Sequence, residues 1–226
     1  MKPVVGIFAH PDDEVFGPGG TLAMFAKEGR DVYLVCVTDG AAGINSSSDE
    51  RSLADIRKEE LEASAKHLGI KKVFFLNYKD GTLSNNLYHE VADKIQEILE
   101  PISPDILVTM EQRGVSGHLD HIAVSMISSY VFEKMTQINE IWYYALTVSA
   151  RALQSPYYIY FPAGYKREDI SRTINIEPIW DQKVAAMKEH ESQKHDIEKV
   201  LGQFMKRPKE EYFIILDRSD FRTRTE

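Results

Sequence analysis

The chain has 226 residues, of which 43% are hydrophobic and 27% charged, a balance typical of globular proteins that excludes a disordered or fibrous chain. Its net charge of −8 disfavours nucleic acid as a partner, because a phosphate backbone attracts basic surfaces. The single cysteine, Cys36, excludes an internal disulfide, and no apolar stretch approaches the roughly 20 residues of a membrane-spanning helix. The apolar run at the N-terminus is too short for a signal peptide, so we expect a cytoplasmic protein.

Five short apolar runs recur along the chain, and their first residues are 28 to 41 positions apart. This interval fits a strand followed by a helix and is too long for a hairpin. The runs are continuous rather than alternating and rich in Val, Ile and aromatic residues, as strands buried on both faces of a parallel sheet are. We therefore predict strands at Val4–Phe8, Val32–Val37, Val73–Leu76, Ile106–Thr109 and Ile141–Leu146.

Three apolar stripes with helical spacing lie between these strands, at Leu53–Leu68, Val91–Leu99 and Ile122–Val131. Ser47 and Glu50 have the spacing of a capping box before the first stripe, and Pro101 should stop the second. A further helix around Gln182–Leu201 and a strand at Tyr212–Leu216 are predicted near the C-terminus. Alternating strands and helices without a sequence repeat predict an open α/β sheet in three layers, with no linker that would separate a second domain.

Polar and ionisable residues follow the predicted strands at their carboxyl ends, where ligands bind in an open parallel sheet. The first strand runs into His10-Pro11-Asp12-Asp13-Glu14, in which four ionisable residues would be costly to bury without a use. The fourth strand is followed by Gly117-His118-Leu119-Asp120-His121, where the next helix should begin. The second and third strands end in Asp39-Gly40 and Asn77–Gly81. Segments distant in sequence therefore converge on one edge of the sheet.

The two histidines of the second segment, His118 and His121, stand at i and i+3 and so face the same side of a helical turn. Together with His10 and the carboxylates beside it, they can form a metal site of two imidazoles and one carboxylate with open coordination positions. Such an ion activates water and polarises a carbonyl. The remaining carboxylate and imidazole can then serve as base and acid.

Simpler interpretations fit each of these residues taken singly. Asp12, Asp13, Glu14 and Asp120 could stabilise helix N-termini, where carboxylates are favourable. A non-catalytic module for a sugar or nucleotide would use the carboxylates as hydroxyl acceptors, but it leaves the paired imidazoles unexplained. Phosphoester hydrolysis usually needs two metal ions with more carboxylate ligands. The joint occurrence at two strand ends favours a single metal site.

These motifs resemble those of the LmbE-like (PIG-L) family of zinc-dependent N-acetylglucosaminide deacetylases. AHPDDE after the first strand and GHLDH after the fourth carry the resemblance, with Leu119 standing where the family usually has proline. It extends over residues 4–195 through VTDGAAG, Arg57-x-x-Glu60, Asp80-Gly81 and His190-x-Ser192-Gln193. The resemblance implies a Rossmann-like three-layer fold with a mostly parallel sheet, and a single LmbE-like deacetylase domain over residues 1–226.

The resemblance also implies a metal site and a reaction. One zinc ion per chain, or another divalent ion, would be bound by His10, Asp13 and His121. Asp12 would be the general base that takes a proton from the attacking water. The substrate would be an N-acetylglucosamine-containing small molecule, and the products its free amine and acetate. The aglycone and the oligomeric state stay open, a homo-oligomer included.

Four more residues receive roles from the resemblance. His118 would stabilise the oxyanion or protonate the departing amine, with Asp120 orienting its ring. Because a neighbouring carboxylate favours a protonated imidazole, we expect the pKa of His118 to lie above its ordinary value. Arg57 and Asp80 would contact the sugar.

Three features are left with open roles. The loop Ala41–Ser48 consists of small and polar residues, a composition that suits a mobile lid over substrate. His190 matches a recurrent family position, and structural and site roles fit it equally well. The aromatic residues in Trp142–Tyr144 and Tyr157–Tyr160 could form a sugar platform, although a place in the core fits them better.

Overall fold

The computed structural model describes residues 1–148 and 158–219. Its strands are joined in one seven-stranded sheet with the order β3-β2-β1-β4-β5-β7-β6. The first five strands are parallel, β7 is antiparallel to β5, and β6 is antiparallel to β7. The strands are β1 (Val4–Phe8), β2 (Val32–Thr38), β3 (Lys72–Tyr78), β4 (Ile106–Met110), β5 (Glu140–Ala145), β6 (Arg172–Asn175) and β7 (Glu210–Asp217). The mostly parallel α/β sheet predicted from the apolar runs is confirmed, and β6 is an addition.

Helices cover both faces of this sheet and complete three layers. They are α1 (Asp13–Phe16), α2 (Gly19–Lys27), α3 (Leu53–His67), α4 (Tyr88–Ile102), α5 (Gly114–Gly117), α6 (Leu119–Lys134), α7 (Trp180–Lys188) and α8 (Lys194–Phe204). Buried residues of α2, α3, α7 and α8 share one hydrophobic core, and those of α4 and α6 share the other. Within the two described ranges, no helix has the length and hydropathy to cross a bilayer.

The continuous apolar runs follow from this layering. All five residues of β1 are buried, and they alternate between the two cores: Val4 and Phe8 belong to one, Val5 and Ile7 to the other. Because successive side chains of a strand point to opposite faces, a strand covered on both sides needs an apolar residue at every position.

The start of α3 differs from the prediction. Its N-cap is Ser52, whose side chain makes no capping bond. Ser47 lies in the preceding loop, where its hydroxyl bonds Asn45, so Ser47 and Glu50 form no capping box. The local Asn45 turn competes successfully for the serine side chain.

Two other helix ends also differ. Helix α4 continues one residue past Pro101 and ends at Ser103 in the left-handed region, with φ 49°. Pro101 is therefore the last residue but one of α4, and the helix ends one residue after it, as expected of a residue that has no N–H to donate. The predicted helix Gln182–Leu201 is two helices, α7 and α8, separated by a 3-10 turn at Glu191–Gln193.

The strand order reverses beside β1. From β1 the chain proceeds through β2 to β3 on one side, and then crosses to β4 and β5 on the other. Such a reversal opens a crevice at the carboxyl ends of the two central strands. The segments His10–Glu14 and Gly117–His121 follow β1 and β4 and therefore flank this crevice.

Candidate functional site

Side chains from one loop and two helix starts meet in the crevice. His10 follows β1, Asp13 is the first residue of α1, and His121 lies in the first turn of α6. Three distances join their donor atoms: 3.1 Å from His10 Nδ1 to His121 Nε2, 3.1 Å from His121 Nε2 to Asp13 Oδ1, and 3.6 Å from His10 Nδ1 to Asp13 Oδ2. The structure therefore brings together the three residues that the sequence assigns to a metal.

This spacing fits a tetrahedral metal site. Zinc–ligand bonds of about 2.0–2.1 Å in that geometry place neighbouring donor atoms about 3.3 Å apart. His121 Nε2 lies 3.1 Å from both His10 Nδ1 and Asp13 Oδ1, close to this value, and the other oxygen of Asp13 lies 3.6 Å from His10 Nδ1. Mixed nitrogen and oxygen donors without sulfur suit zinc and similar divalent ions.

The outer nitrogens of both imidazoles are occupied by protein groups. His121 Nδ1 lies 3.1 Å from the carbonyl oxygen of Gly114, and His10 Nε2 lies 3.0 Å from Asp80 Oδ1 and 3.3 Å from Asp120 Oδ2. Because each of these nitrogens donates its hydrogen outward, His10 Nδ1 and His121 Nε2 are the nitrogens that would bind a cation, which would replace the second proton that the neighbouring carboxylates favour on His10. The tautomers are thus set for binding a cation.

The ionisation of the cluster points the same way. Burial opposes a charge on His10, but hydrogen bonds to Asp120, Asp13 and Asp80 outweigh it and hold the pKa of His10 well above its ordinary value. Burial also opposes a charge on Asp13, yet His121 and His10 hold the pKa of Asp13 well below its ordinary value. The carboxylates thus favour a positive charge in the cluster, and either a proton or a divalent ion can provide it.

Asp120 does not act on His118 as the sequence analysis expected. Its carboxylate accepts hydrogen bonds from the backbone N–H groups of Gly81 (2.8 Å) and Leu83 (3.1 Å), in addition to its contact with His10. The link to His118 runs through the backbone instead: Asp120 N–H donates to His118 Nδ1 at 3.2 Å. The reason is local, because His118 is the N-cap of α6 and its ring closes the first turn.

The expected rise in the pKa of His118 is also wrong. Burial, together with the nearby imidazoles of His121 and His10, lowers the pKa of His118 to about 4. His118 is therefore neutral near pH 7. Because its Nδ1 accepts the capping bond, its hydrogen is on Nε2, and the ring can donate a hydrogen bond without being protonated. One nitrogen of His118 lies within 4.8 Å of ligand atoms of the other two imidazoles.

Asp12, beside this cluster, has an unusual backbone and an unusual pKa. Its φ is 119°, a region that residues with side chains rarely adopt and that costs roughly 1–3 kcal/mol. Burial raises the pKa of Asp12 to about 6, although Arg57 opposes the shift. Oδ2 accepts from Arg57 at 2.8 Å, whereas Oδ1 has no hydrogen-bond partner among the described residues.

Arg57 and Asp80 are occupied by protein partners rather than open to a ligand. The Arg57 guanidinium is buried and donates to Asp12 and to the carbonyl oxygens of Pro11 and Gly40. Asp80 directs Oδ1 to His10 and Oδ2 to the N–H of Ala42. These contacts place Arg57 beside the proposed base and Asp80 beside a proposed ligand, and the sugar-binding roles given to both residues stay predictions.

Sequence reasoning missed Glu14 and Glu111. Glu14 accepts from the N–H of Asp12 at 3.0 Å, and Glu111 accepts from the N–H of Val115 at 3.1 Å in the turn before α6. Both side chains are buried. No motif or spacing in the sequence points to Glu111. Glu14, in contrast, is the last residue of the AHPDDE motif, and its place in that motif could have marked it as a site residue.

The open features can now be located. The loop Ala41–Ser48 is tied down by hydrogen bonds from Ser46 N–H to Ser192 O (2.7 Å) and from Gln193 Nε2 to Ile44 O (3.2 Å). Its mobility stays a prediction. Trp142, Tyr143 and Tyr144 are core residues, as expected. Tyr157 lies outside the described residues, and Tyr158 has its ring 6.4 Å from that of His118.

Comparison with known proteins identifies the family. The PIG-L family model, described as GlcNAc-PI de-N-acetylase, matches residues 5–131. The chain belongs to the PIG-L family. A Bacillus cereus protein named as a probable N-acetyl-α-D-glucosaminyl L-malate deacetylase 2 is similar to it, with 28% identity over 197 residues that cover 85% of this chain and 84% of that protein.

Solved structures agree on the fold. The N,N′-diacetylchitobiose deacetylase of Pyrococcus horikoshii matches this PIG-L chain with a TM-score of 0.70 at 25% identity, covering 97% of this chain and 85% of that one. The 4-carboxy-2-hydroxymuconate hydratase GalB of Pseudomonas putida matches with a TM-score of 0.74 at 17% identity, covering 96% of both chains. At that identity the likeness concerns the fold alone, and a hydratase on this fold means that activity must be argued from the site.

Proposed function

We propose that this protein is a zinc-dependent N-deacetylase that removes the acetyl group from an N-acetylglucosamine-containing small molecule. The observation that carries the proposal is the convergence of His10 Nδ1, Asp13 and His121 Nε2 at metal-like separations, with the outer nitrogen of each imidazole already bonded. A non-catalytic sugar-binding module would not need this arrangement. The family membership supports the same chemistry.

His10, Asp13 and His121 would hold the ion. A divalent ion there would supply a Lewis acid for the amide carbonyl and would make a water molecule easier to deprotonate at neutral pH. Three protein ligands leave a coordination position open, as catalytic rather than structural zinc sites do.

Asp12 is suited to act as the general base. A pKa of about 6 leaves it ionised at neutral pH while keeping it basic enough to accept a proton. Its free Oδ1 would take the proton from water as the water oxygen attacks the amide carbon. When the C–N bond breaks, the same carboxyl group can return that proton to the nitrogen, so that a free amine and acetate leave the site.

His118 is suited to stabilise the oxyanion. The neutral ring keeps its hydrogen on Nε2 and can donate it to the oxygen that gains negative charge in the tetrahedral state. The pKa of about 4 argues against protonation of the amine by His118, since little of the acid form would be present at neutral pH. Of the two roles that the family resemblance left open for His118, stabilisation of the oxyanion is therefore favoured over protonation of the departing amine.

The test is a metal analysis followed by a substrate panel. Purified protein should contain one divalent ion per chain, lose deacetylation after dialysis against a chelator and recover it with zinc. The panel should include N-acetylglucosaminyl malate and N,N′-diacetylchitobiose, with released amine and acetate both quantified. Full activity in protein shown to be free of metal would overturn the proposal.

A further inference from the structure

Beneath Asp12 lies a group of buried polar side chains that the proposed chemistry does not use. Glu14 Oε1 accepts a hydrogen bond from His190 Nε2 at 2.7 Å and another from the hydroxyl of Ser64 at 2.7 Å. Its other oxygen, Oε2, accepts from the N–H of Asp12 at 3.0 Å. Glu14 and His190 are each 1% exposed. His190 thus reaches Asp12 through a single intervening carboxylate.

The backbone of Asp12 needs such support. Its φ of 119° is disfavoured for a residue with a side chain, so neighbouring groups must hold it. The carbonyl of Asp12 accepts from the N–H groups of Val15 and Phe16 in α1. Two side chains add to this: Glu14 binds the amide of Asp12, and Arg57 binds its carboxylate and the carbonyl of Pro11. Arg57 thus contacts the side chain of Asp12 and Glu14 its backbone amide, and these contacts together determine where the Asp12 carboxylate lies.

The position of His190 in the chain is also shaped by these contacts. It stands at the interruption between α7 and α8, where the apolar pattern alone predicts one continuous helix. The next residues bond elsewhere: Ser192 N–H and Oγ bind Glu60 at 2.6 and 2.7 Å, and Gln193 binds the Ile44 carbonyl. The break therefore places His190 against Glu14 and is anchored on the C-terminal side of His190.

We propose that His190 is a positioning residue that holds the Glu14 carboxylate under the Asp12 amide and thereby maintains the left-handed backbone of the general base. His190 touches neither the proposed metal ligands nor the reacting atoms. The inference rests on the proposed function, because it concerns the base of that reaction. A merely structural histidine would contribute to stability without affecting the catalytic step.

The decisive variants are His190→Gln and His190→Asn. A glutamine side chain places its amide nitrogen near the position of the imidazole Nε2, and an asparagine places it near Nδ1, so only glutamine can donate to Glu14. His67→Asn is the matched control: His67 makes a 2.8 Å bond to Glu189 that resembles the pair His190–Glu14 but lies on the surface.

We expect His190→Asn to lower kcat by roughly 10- to 100-fold with KM and the zinc-to-protein ratio unchanged. His190→Gln should recover most of the lost rate, and His67→Asn should match the wild type. If His190→Asn keeps the wild-type kcat, or if it loses zinc together with activity, the inference is wrong.

A stability measurement tests the same inference without using activity. Glycine adopts a φ of 119° without strain, so in an Asp12→Gly background the backbone no longer needs Glu14 to hold it. His190→Asn should then lower the urea midpoint less in Asp12→Gly protein than in the wild type. Equal losses in both backgrounds would overturn the inference. If the wild type deacetylates no substrate, the proposed function fails, and this comparison still decides whether His190 supports Asp12.

Discussion

The protein buries ionisable side chains in two places that are built differently. Under α2, Lys183 donates to Glu211 at 2.6 Å and to the Gly17 carbonyl at 2.7 Å. Glu211 also accepts from the N–H of Gly20 (2.9 Å), the N–H of Thr21 (2.7 Å) and the Thr21 hydroxyl (2.6 Å). One charge of each sign is present, and the contacts join α7 and β7 to α2 and to the turn before it.

The crevice cluster lacks this balance. Four buried carboxylates meet there, and in the described part of the chain only one of them, Asp12, forms an ion pair with a permanent cation, Arg57. The pKa values of His10 and Asp13 are displaced in opposite directions. The two places therefore differ in role. The Lys183–Glu211 ion pair is balanced in charge and holds helices and a strand together, whereas a cluster with too few positive charges is suited to bind a ligand. The four carboxylates belong to Asp12, Asp13, Asp80 and Asp120.

The largest effect should come from removing a proposed ligand. His121→Ala should leave the protein without bound zinc and abolish deacetylation, because two donors hold the ion poorly. His118→Ala is the control, since His118 is assigned to the oxyanion and should leave zinc stoichiometric. Metal content measured by mass spectrometry checks both variants. A His121→Ala protein that still holds one zinc per chain would contradict the ligand assignment.

Asp12→Asn should separate chemistry from metal binding in the crevice cluster. It keeps the shape of the side chain but cannot accept a proton, and loss of a general base lowers kcat about 10²–10⁴-fold. Zinc content should be unchanged, because Asp13 and not Asp12 is assigned to the ion. Steady-state kinetics with parallel metal analysis gives the answer. Should Asp12→Asn also empty the site, Asp12 would have to be reassigned as a ligand.

Lys183→Met should lower the stability of the protein without changing its rate of deacetylation. Leaving the buried Glu211 carboxylate without its cation should cost about 3–5 kcal/mol of unfolding free energy, measured by urea denaturation. The kcat of the folded protein should stay at the wild-type value. Lys71→Met is the control, since Lys71 pairs with Asp31 on the exposed surface, where an ion pair contributes little to stability. If Lys183→Met and Lys71→Met lower the unfolding free energy equally, the buried Lys183–Glu211 pair has no special part in holding the fold together.

The smallest expected effect is a displaced pH profile. Wild-type kcat/KM should rise with pH through about 6 as Asp12 loses its proton. Because the Arg57 guanidinium favours the ionised carboxylate, Arg57→Gln should raise the pKa of Asp12 and move this limb upward by roughly 1 unit or more. An acidic limb at the same pH in both proteins would show that Asp12 does not govern it.

The fold was largely predictable because its signals are local. An apolar run such as Val4–Phe8 reports burial on both faces, and the intervals between runs report the crossover helices. The gathering of His10, Asp13 and His121 was also predictable, since strand ends in a parallel sheet share an edge. Helix boundaries were less so: the break at Glu191–Gln193 depends on Glu60, more than 100 residues earlier in the chain.

The motifs therefore predict which residue types lie in the crevice, whereas their hydrogen-bond and ion-pair partners are determined only by the tertiary structure. The carboxylate of Asp120 contacts His10 rather than the ring of the neighbouring His118, Arg57 binds Asp12, and Glu14 binds His190 across 176 positions. These pairings, and the low pKa of His118, depend on distances of a few ångströms and on exclusion of water. Neither quantity is encoded by spacing along the chain, because hydrogen bonding and electrostatic strength are decided by which surfaces the packed layers bring together.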